Sequence, residues 1–202
     1  QIQFEILPWE DRPKLSEPII DGVLDREIAD PRYDGDLVVD QLETRLAQIP
    51  GIETEILPLT GGDEIARSYS AQYYGLSGLS AFQGRMAEMG RFCIHPDWTD
   101  PDILRVAWGA MTTYVDEQGV EMLFGCSSFH GTDADQYQDA FAMLKERHLA
   151  PKRWLPRVKA PKVFNFAQKL RRKPDAKLAM LRMPPLLRTY LLMGGWVSDH
   201  AV

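Results

Sequence analysis

The stretch from Met86 to His148 constrains the fold more than any other part of this chain. Met86 to Ile94 is an apolar run of strand length, and His95-Pro96 stops it. A loop, Asp97 to Asp102, follows, in which Asp100 is placed to cap a helix and Pro101 to open it. Apolar residues then recur at helical spacing (Ile103, Val106, Ala107, Ala110, Met111, Tyr114, Val115), and Gly119 supplies the stop after Gln118. Val120 to Phe129 reads as a buried strand, and a second helix is expected from about Asp135 to His148. Strand, loop, helix, strand, helix is the order of a parallel crossover unit, which argues for an α/β or mixed α+β class.

The flanking parts add shorter elements. Ile2 to Leu7 reads as a strand that Pro8 stops, and Asp36 to Ile49 as a helix closed by Pro50-Gly51. Ile52 to Leu59 reads as another strand, with Gly61-Gly62 as a turn. Pro151 to Lys177 is basic and broken by prolines, and Pro184 to Met193 reads as a short helix ended by Gly194-Gly195. At 202 residues the chain is expected to form a single domain, residues 1–202, large enough for a core without disulfides or structural metals. Cys93 and Cys126 lie far apart within apolar runs and read as reduced core thiols of a cytosolic protein, not as a disulfide. No apolar run reaches the ~20 residues that cross a bilayer. Gln1 to Ile6 read as neither the basic region nor the apolar core of a secretion signal; without a starting Met, the chain reads as trimmed or partial.

Charge is unevenly spread. Residues 1–64 hold 16 Asp and Glu against 5 Lys and Arg, a balance of −11. Residues 145–188 hold 14 Lys and Arg against Glu146 and Asp175, a balance of +12. That asymmetry points to a partner with a negative surface (nucleic acid, anionic lipid or an acidic protein), unless the two halves neutralise one another. Trp154, Phe164 and Phe166 interrupt the basic segment, as single-stranded nucleic-acid sites and membrane-interface segments both do.

Chemistry is expected on the central strand. Glu88 is a carboxylate in an otherwise apolar run, with Arg91 three residues on. Strict alternation puts Glu88, Gly90 and Phe92 on one face and Met89 and Arg91 on the other, but a bulge near Gly90 would bring both charges to one site. A carboxylate so placed can hold an amine or accept its proton; a structural ion pair with an arginine explains the residue equally well. Ser127-Ser128-Phe129-His130-Gly131 ends the next strand, where small polar residues of a parallel sheet often line a crevice. It is not a nucleophile elbow, because Phe129 stands where the last glycine would be. His95, His130, His148 and His200 show no paired ligand spacing, so no metal is expected, and no phosphate-binding glycine loop occurs.

From about Ile56 to Val202 the chain resembles the ornithine–acyl carrier protein N-acyltransferases, often catalogued as hemolysin-like proteins. The residues that carry it are Ile56-Leu-Pro58, Ala87-Glu-Met-Gly-Arg-Phe-Cys-Ile-His-Pro96, Leu123-Phe-Gly-Cys-Ser-Ser-Phe-His-Gly-Thr132, His148-Leu-Ala-Pro151 and Pro184 to Gly195. The Glu88-to-Phe92 core is also similar to that of the acyl-homoserine-lactone synthases. The resemblance implies a GNAT acyltransferase fold, a central mixed sheet flanked by helices, and the first step of ornithine lipid synthesis. In that step the α-amine of ornithine attacks a 3-hydroxyacyl thioester of acyl carrier protein, directly and without an acyl-enzyme. The implied donor group is acyl-phosphopantetheine, with no separate cofactor. Glu88 would position or deprotonate the amine, and Arg91 would orient Glu88 or the substrate carboxylate. Phe92, Cys93, His95, Ser127, Ser128, Phe129 and His130 would line the substrate site. The strand would also splay from its neighbour, so that backbone N–H groups near Cys93 polarise the thioester carbonyl.

The loop Asp97 to Asp102 lacks the glycine-rich pyrophosphate cradle of acetyl-CoA enzymes of this fold, and the basic segment suits an acidic carrier or an anionic membrane. Both agree with a carrier-protein donor. Residues 1–55 fall outside the resemblance; Glu55 stands where the family has an Arg, and one more strand is expected beyond Val202. The expected partners are therefore acyl carrier protein, ornithine and a peripheral anionic membrane, with no nucleic acid. A lactone-type synthase and a non-enzymatic binding module built on residues 145–188 are the alternatives.

Overall fold

The computed structural model describes residues 2–5, 52–94, 97 and 101–202. The helix expected over Asp36–Ile49, the cap Asp100 and His95 lie outside the described residues.

In chain order the strands are β1 (Ile2–Glu5), β2 (Ile52–Leu59), β3 (Tyr74–Gly75), β4 (Arg85–Ile94), β5 (Val120–Ser127), β6 (Arg157–Val158) and β7 (Trp196–Val197). The helices are α1 (Ser70–Tyr73, a single turn), α2 (Pro101–Gln118), α3 (Gln138–Arg147), α4 (Phe166–Lys169), α5 (Ala176–Arg182) and α6 (Pro185–Leu192). Five strands form a mixed sheet in the order β2-β4-β5-β1-β7, and β3 and β6 pair separately. β4 and β5 run parallel, as the crossover through α2 requires, while β2 lies antiparallel to β4 and β1 antiparallel to β5.

Apolar residues cover both faces of this sheet. On one face Ile56, Ala87, Met89 and Leu123 pack with α2, α3, α5 and α6. α2 docks through Ile103, Ala107, Met111, Tyr114 and Val115, each buried, whereas Val106 on its edge is 45% exposed, contrary to its expected place on the inner face. The helix stops where Gly119 takes φ +59, a left-handed conformation that a side chain would disfavour. The second face carries Leu59, Met86, Met122 and Phe124 beneath the turns of residues 62–81 and β3. Gly62 belongs to that cover, and only glycine fits: a Cβ there would stand 2.0 Å from the carbonyl oxygen of Leu79.

Three expectations need correcting. β5 ends at Ser127, so Ser128 and Phe129 are not strand residues; its pairing with β1 also ends there, at Ile2↔Ser127. The helix expected from Asp135 begins instead as a 3-10 turn over Ala134–Tyr137, capped by the Asp133 carboxylate accepting from the Asp135 N–H, and becomes α-helical at Gln138. The basic segment is less broken than its prolines indicate. Asn165 caps α4 and Asp175 caps α5, each side chain accepting from the backbone N–H three residues on. Among the described residues no helix is long and apolar enough to cross a membrane.

Candidate active site

Glu88 is 4% exposed, near the middle of β4, on the sheet face that α1 covers. A buried carboxylate needs donors, and here it has three. The Ser70 N–H and the Ser70 hydroxyl donate to Oε1 at 2.7 and 2.5 Å, and the Tyr69 N–H donates to Oε2 at 2.7 Å. An ionised carboxylate offers about four acceptor sites, so one remains, on Oε2. The structural ion pair that competed as an explanation of Glu88 is absent among the described residues.

Ser70 also reaches Cys126, whose Sγ lies 3.3 Å from its hydroxyl. Burial pushes the Cys126 thiol up to about 11, Ser70 partly opposes that, and the nearby Glu88 charge adds to it. Cys126 is therefore a neutral thiol at neutral pH, not a nucleophile. The rings of Tyr69 and Tyr73 stand 5.3 Å apart at the rim of the cluster. The Tyr73 phenol is pushed up, first by its hydrogen bond with Tyr69. Ser70, Tyr69 and Cys126 were not among the candidate site residues of the sequence. The one available signal was indirect: an acid inside an apolar strand demands donors from somewhere else in the chain.

Two features of β4 shape the space beside Glu88. Its pairing with β5 ends at Met89↔Gly125, one residue past Glu88↔Phe124. Beyond that point β4 continues to Ile94 alongside β2, while Cys126 and Ser127 of β5 pair with β1. The strands part, as expected, and open a wedge next to Glu88. The second feature is a bulge against β2 between the pairs Glu55↔Gly90 and Glu53↔Cys93, at which Arg91 takes φ +49. The bulge was expected; its effect differs. It shifts the alternation by one residue, so that Phe92 and Ile94 both pack on the helix side and Phe92 leaves Glu88's face. Cys93, between them, is exposed on the opposite side and is not the core thiol expected, because the bulge turns it away from the helices. Arg91 does not reach Glu88. Its Nε lies 3.2 Å from Oε2 of Glu55, and both side chains are largely exposed.

The Ser-Ser-Phe-His stretch does not assemble around Glu88. Ser127 is buried, and its position in β5, next to Cys126, projects it to the other sheet face. Ser128 and His130 are exposed, and Phe129 packs against Tyr137 and Phe141 at ring distances of 4.8 and 4.9 Å. Among the described residues no hydrogen bond joins Ser127 or Ser128 to His130, and no three His, Cys, Asp or Glu side chains gather as a metal site needs.

Comparison with known proteins supplies the family. A model of the Acetyltransferase (GNAT) domain matches residues 16–109, a span that begins well before the expected Ile56. The L-ornithine N(alpha)-acyltransferase of Rhodobacter capsulatus is 34% identical over 188 residues, covering 91% of this chain and 71% of the relative. The chain belongs to the L-ornithine N(alpha)-acyltransferase family. Family members of the same name from Rhizobium meliloti and Brucella abortus are each 26% identical, over 156 and 136 residues. These cover 75% and 66% of the chain and about half of each relative, 50% and 48%. No solved structure gives a significant match. Membership makes this chain a GNAT N-acyltransferase, and the two alternatives, a lactone-type synthase and a non-enzymatic binding module, give way to it.

Proposed function

We propose that this protein transfers a 3-hydroxyacyl group from acyl carrier protein to the α-amine of ornithine, the first step of ornithine lipid synthesis. The observation that carries this reading is Glu88, held at the fork of β4 and β5 with one acceptor site left on Oε2. The thioester lies in the wedge with its carbonyl toward the β4 backbone, whose N–H groups stabilise the developing oxyanion. The α-ammonium of ornithine gives a proton to Glu88, through one water because the carboxylate is buried, and becomes a nucleophile. Its nitrogen attacks the carbonyl carbon. The C–N bond forms, the C–S bond breaks, and the phosphopantetheine thiolate leaves and takes up a proton. No acyl-enzyme forms; the neutral Cys126 supports direct transfer. Arg91, exposed and tied to Glu55 by a solvent-screened pair, is the group we assign to the ornithine carboxylate.

A carrier-protein donor is supported by where the basic segment runs. β6 pairs with β3, and the Lys159 ammonium donates to the Ala71 carbonyl of α1, the turn that holds Glu88. Exposed Lys152, Arg153, Arg157 and Lys162 lie in the same stretch, so an acidic carrier docking there delivers its thioester beside the wedge. The reaction belongs in the cytoplasm, where such carriers are charged.

Incubated with 3-hydroxypalmitoyl-acyl carrier protein and ornithine, the protein is expected to form N-acylornithine, detected by mass spectrometry, and far less from the matching coenzyme A thioester. Equal rates from both donors would remove the carrier from the reading. No acylated ornithine from either, with folded protein, would overturn it.

A further inference from the structure

α5 is short, but its surface is unlike that of any other helix here. Ala179 and Met183 are buried at 0% and 2% and anchor it to the core. Yet Leu178, Met180 and Leu181, on its remaining sides, are 40%, 40% and 74% exposed. The apolar side chains of a helix ordinarily pack on protein or lipid, yet here three of them lie outside the buried stripe, alongside Lys177 and Arg182. Its exposed apolar residues are not the product of a loose end. Asp175 caps the helix at the Leu178 N–H, and Asp139 on α3 receives both the Arg172 guanidinium at 2.7 Å and the Asp175 N–H at 2.9 Å.

The charges around these side chains are of one sign. Lys173, Lys177 and Arg182 are exposed beside them, and none makes an ion pair among the described residues. Between Leu170 and Met193 the single acid is Asp175, already spent on the cap. Leu192, at the end of α6, adds a further apolar side chain that is 80% exposed. Exposed leucine and methionine flanked by unpaired cations is the composition of a surface that enters the headgroup layer of an anionic bilayer. An acidic protein would satisfy the cations, but it gives no reason to leave Leu181 three-quarters exposed on a rigid helix. The cations beside β6 serve that role without exposed leucines.

We infer that α5 docks this protein on an anionic membrane, with Leu181 as the deepest-inserting side chain and Lys173, Lys177 and Arg182 at the phosphate level. This rests on the surface of α5 alone and stands whether or not ornithine is the acceptor. Binding of the whole protein to vesicles of phosphatidylglycerol with phosphatidylcholine, read by co-sedimentation, tests it. The native protein should bind these vesicles, ignore pure phosphatidylcholine, and lose affinity as salt rises. Leu181→Asp should weaken vesicle binding about tenfold or more, and Lys177→Glu severalfold. Both residues are exposed, so circular dichroism of the variants should match the native spectrum. No binding to anionic vesicles at low salt, or binding unchanged in Leu181→Asp, would overturn the inference. So would a rise in KM for acyl carrier protein in Leu181→Asp with vesicle binding intact, since α5 would then be the carrier's dock.

Discussion

Glu88 lends three of its acceptor sites to donors from Tyr69 and Ser70, which leaves one site on Oε2. The Ser70 hydroxyl links this carboxylate to a thiol that never needs to ionise. The Cys126 thiol is pushed up to about 11 from an ordinary 9.0. The folded state resists losing that proton and the unfolded chain does not. The thiol's contribution is therefore intact below about pH 9 and is lost as pH rises toward 11. In urea titrations, stability should fall more steeply above about pH 9 for the native protein than for Cys126→Ala. Parallel curves would mean that the thiol is not buried as described. Glu88 could be singled out in the sequence because a carboxylate in an apolar strand is conspicuous. Ser70 could not: nothing local marks it, and its bond to Glu88 spans 18 residues of chain. Ser127 departs from its expected place for a different reason: the sequence ran the strand on to Phe129 and did not show which face Ser127 takes.

At the scale of elements, β4 is the part that matters most, and it was legible except in phase. An apolar run closed by His95-Pro96 gave the strand, and Gly119 gave the end of α2. The shift of Phe92 to the helix side depends on Arg91 taking a left-handed backbone conformation, with no glycine at that position to announce it. A non-glycine residue there carries roughly 1–2 kcal/mol of strain. The exposed pair that Arg91 makes with Glu55 returns at most about 1 kcal/mol. Arg91→Gly is accordingly expected to leave thermal stability unchanged or slightly raised. It should at the same time raise KM for ornithine about tenfold, with kcat little changed, because a charged contact to the substrate carboxylate is lost. A stability loss above about 2 kcal/mol would show that the side chain, not the backbone, holds the bulge. An unchanged KM would free Arg91 of any substrate role.

Across the whole molecule, the sheet divides the labour. One face, with α2, α3, α5 and α6, supplies most of the core; the other carries Glu88 and its donors, with the basic β6 region beside them. The crossover order predicted the parallel pairing of β4 and β5, because a helix that carries the chain back along the sheet starts the second strand from the same end, and that pair is what parts to form the wedge. The +12 balance of residues 145–188 pointed to a negatively charged partner but could not show that the exposed cations divide between the β6 region and α5, since charge counts do not record which side chains face the same way. The central claim is that Glu88 takes the proton from the α-amine of ornithine. The direct test compares the native protein and Glu88→Gln with acyl carrier protein donor and ornithine labelled with ¹⁵N at the α position, reading product and label by mass spectrometry. The account predicts an amide formed at the labelled nitrogen, with turnover in Glu88→Gln lower by roughly 10²–10⁴-fold. Near-native turnover in a folded Glu88→Gln protein, or acylation at the unlabelled nitrogen, would contradict it.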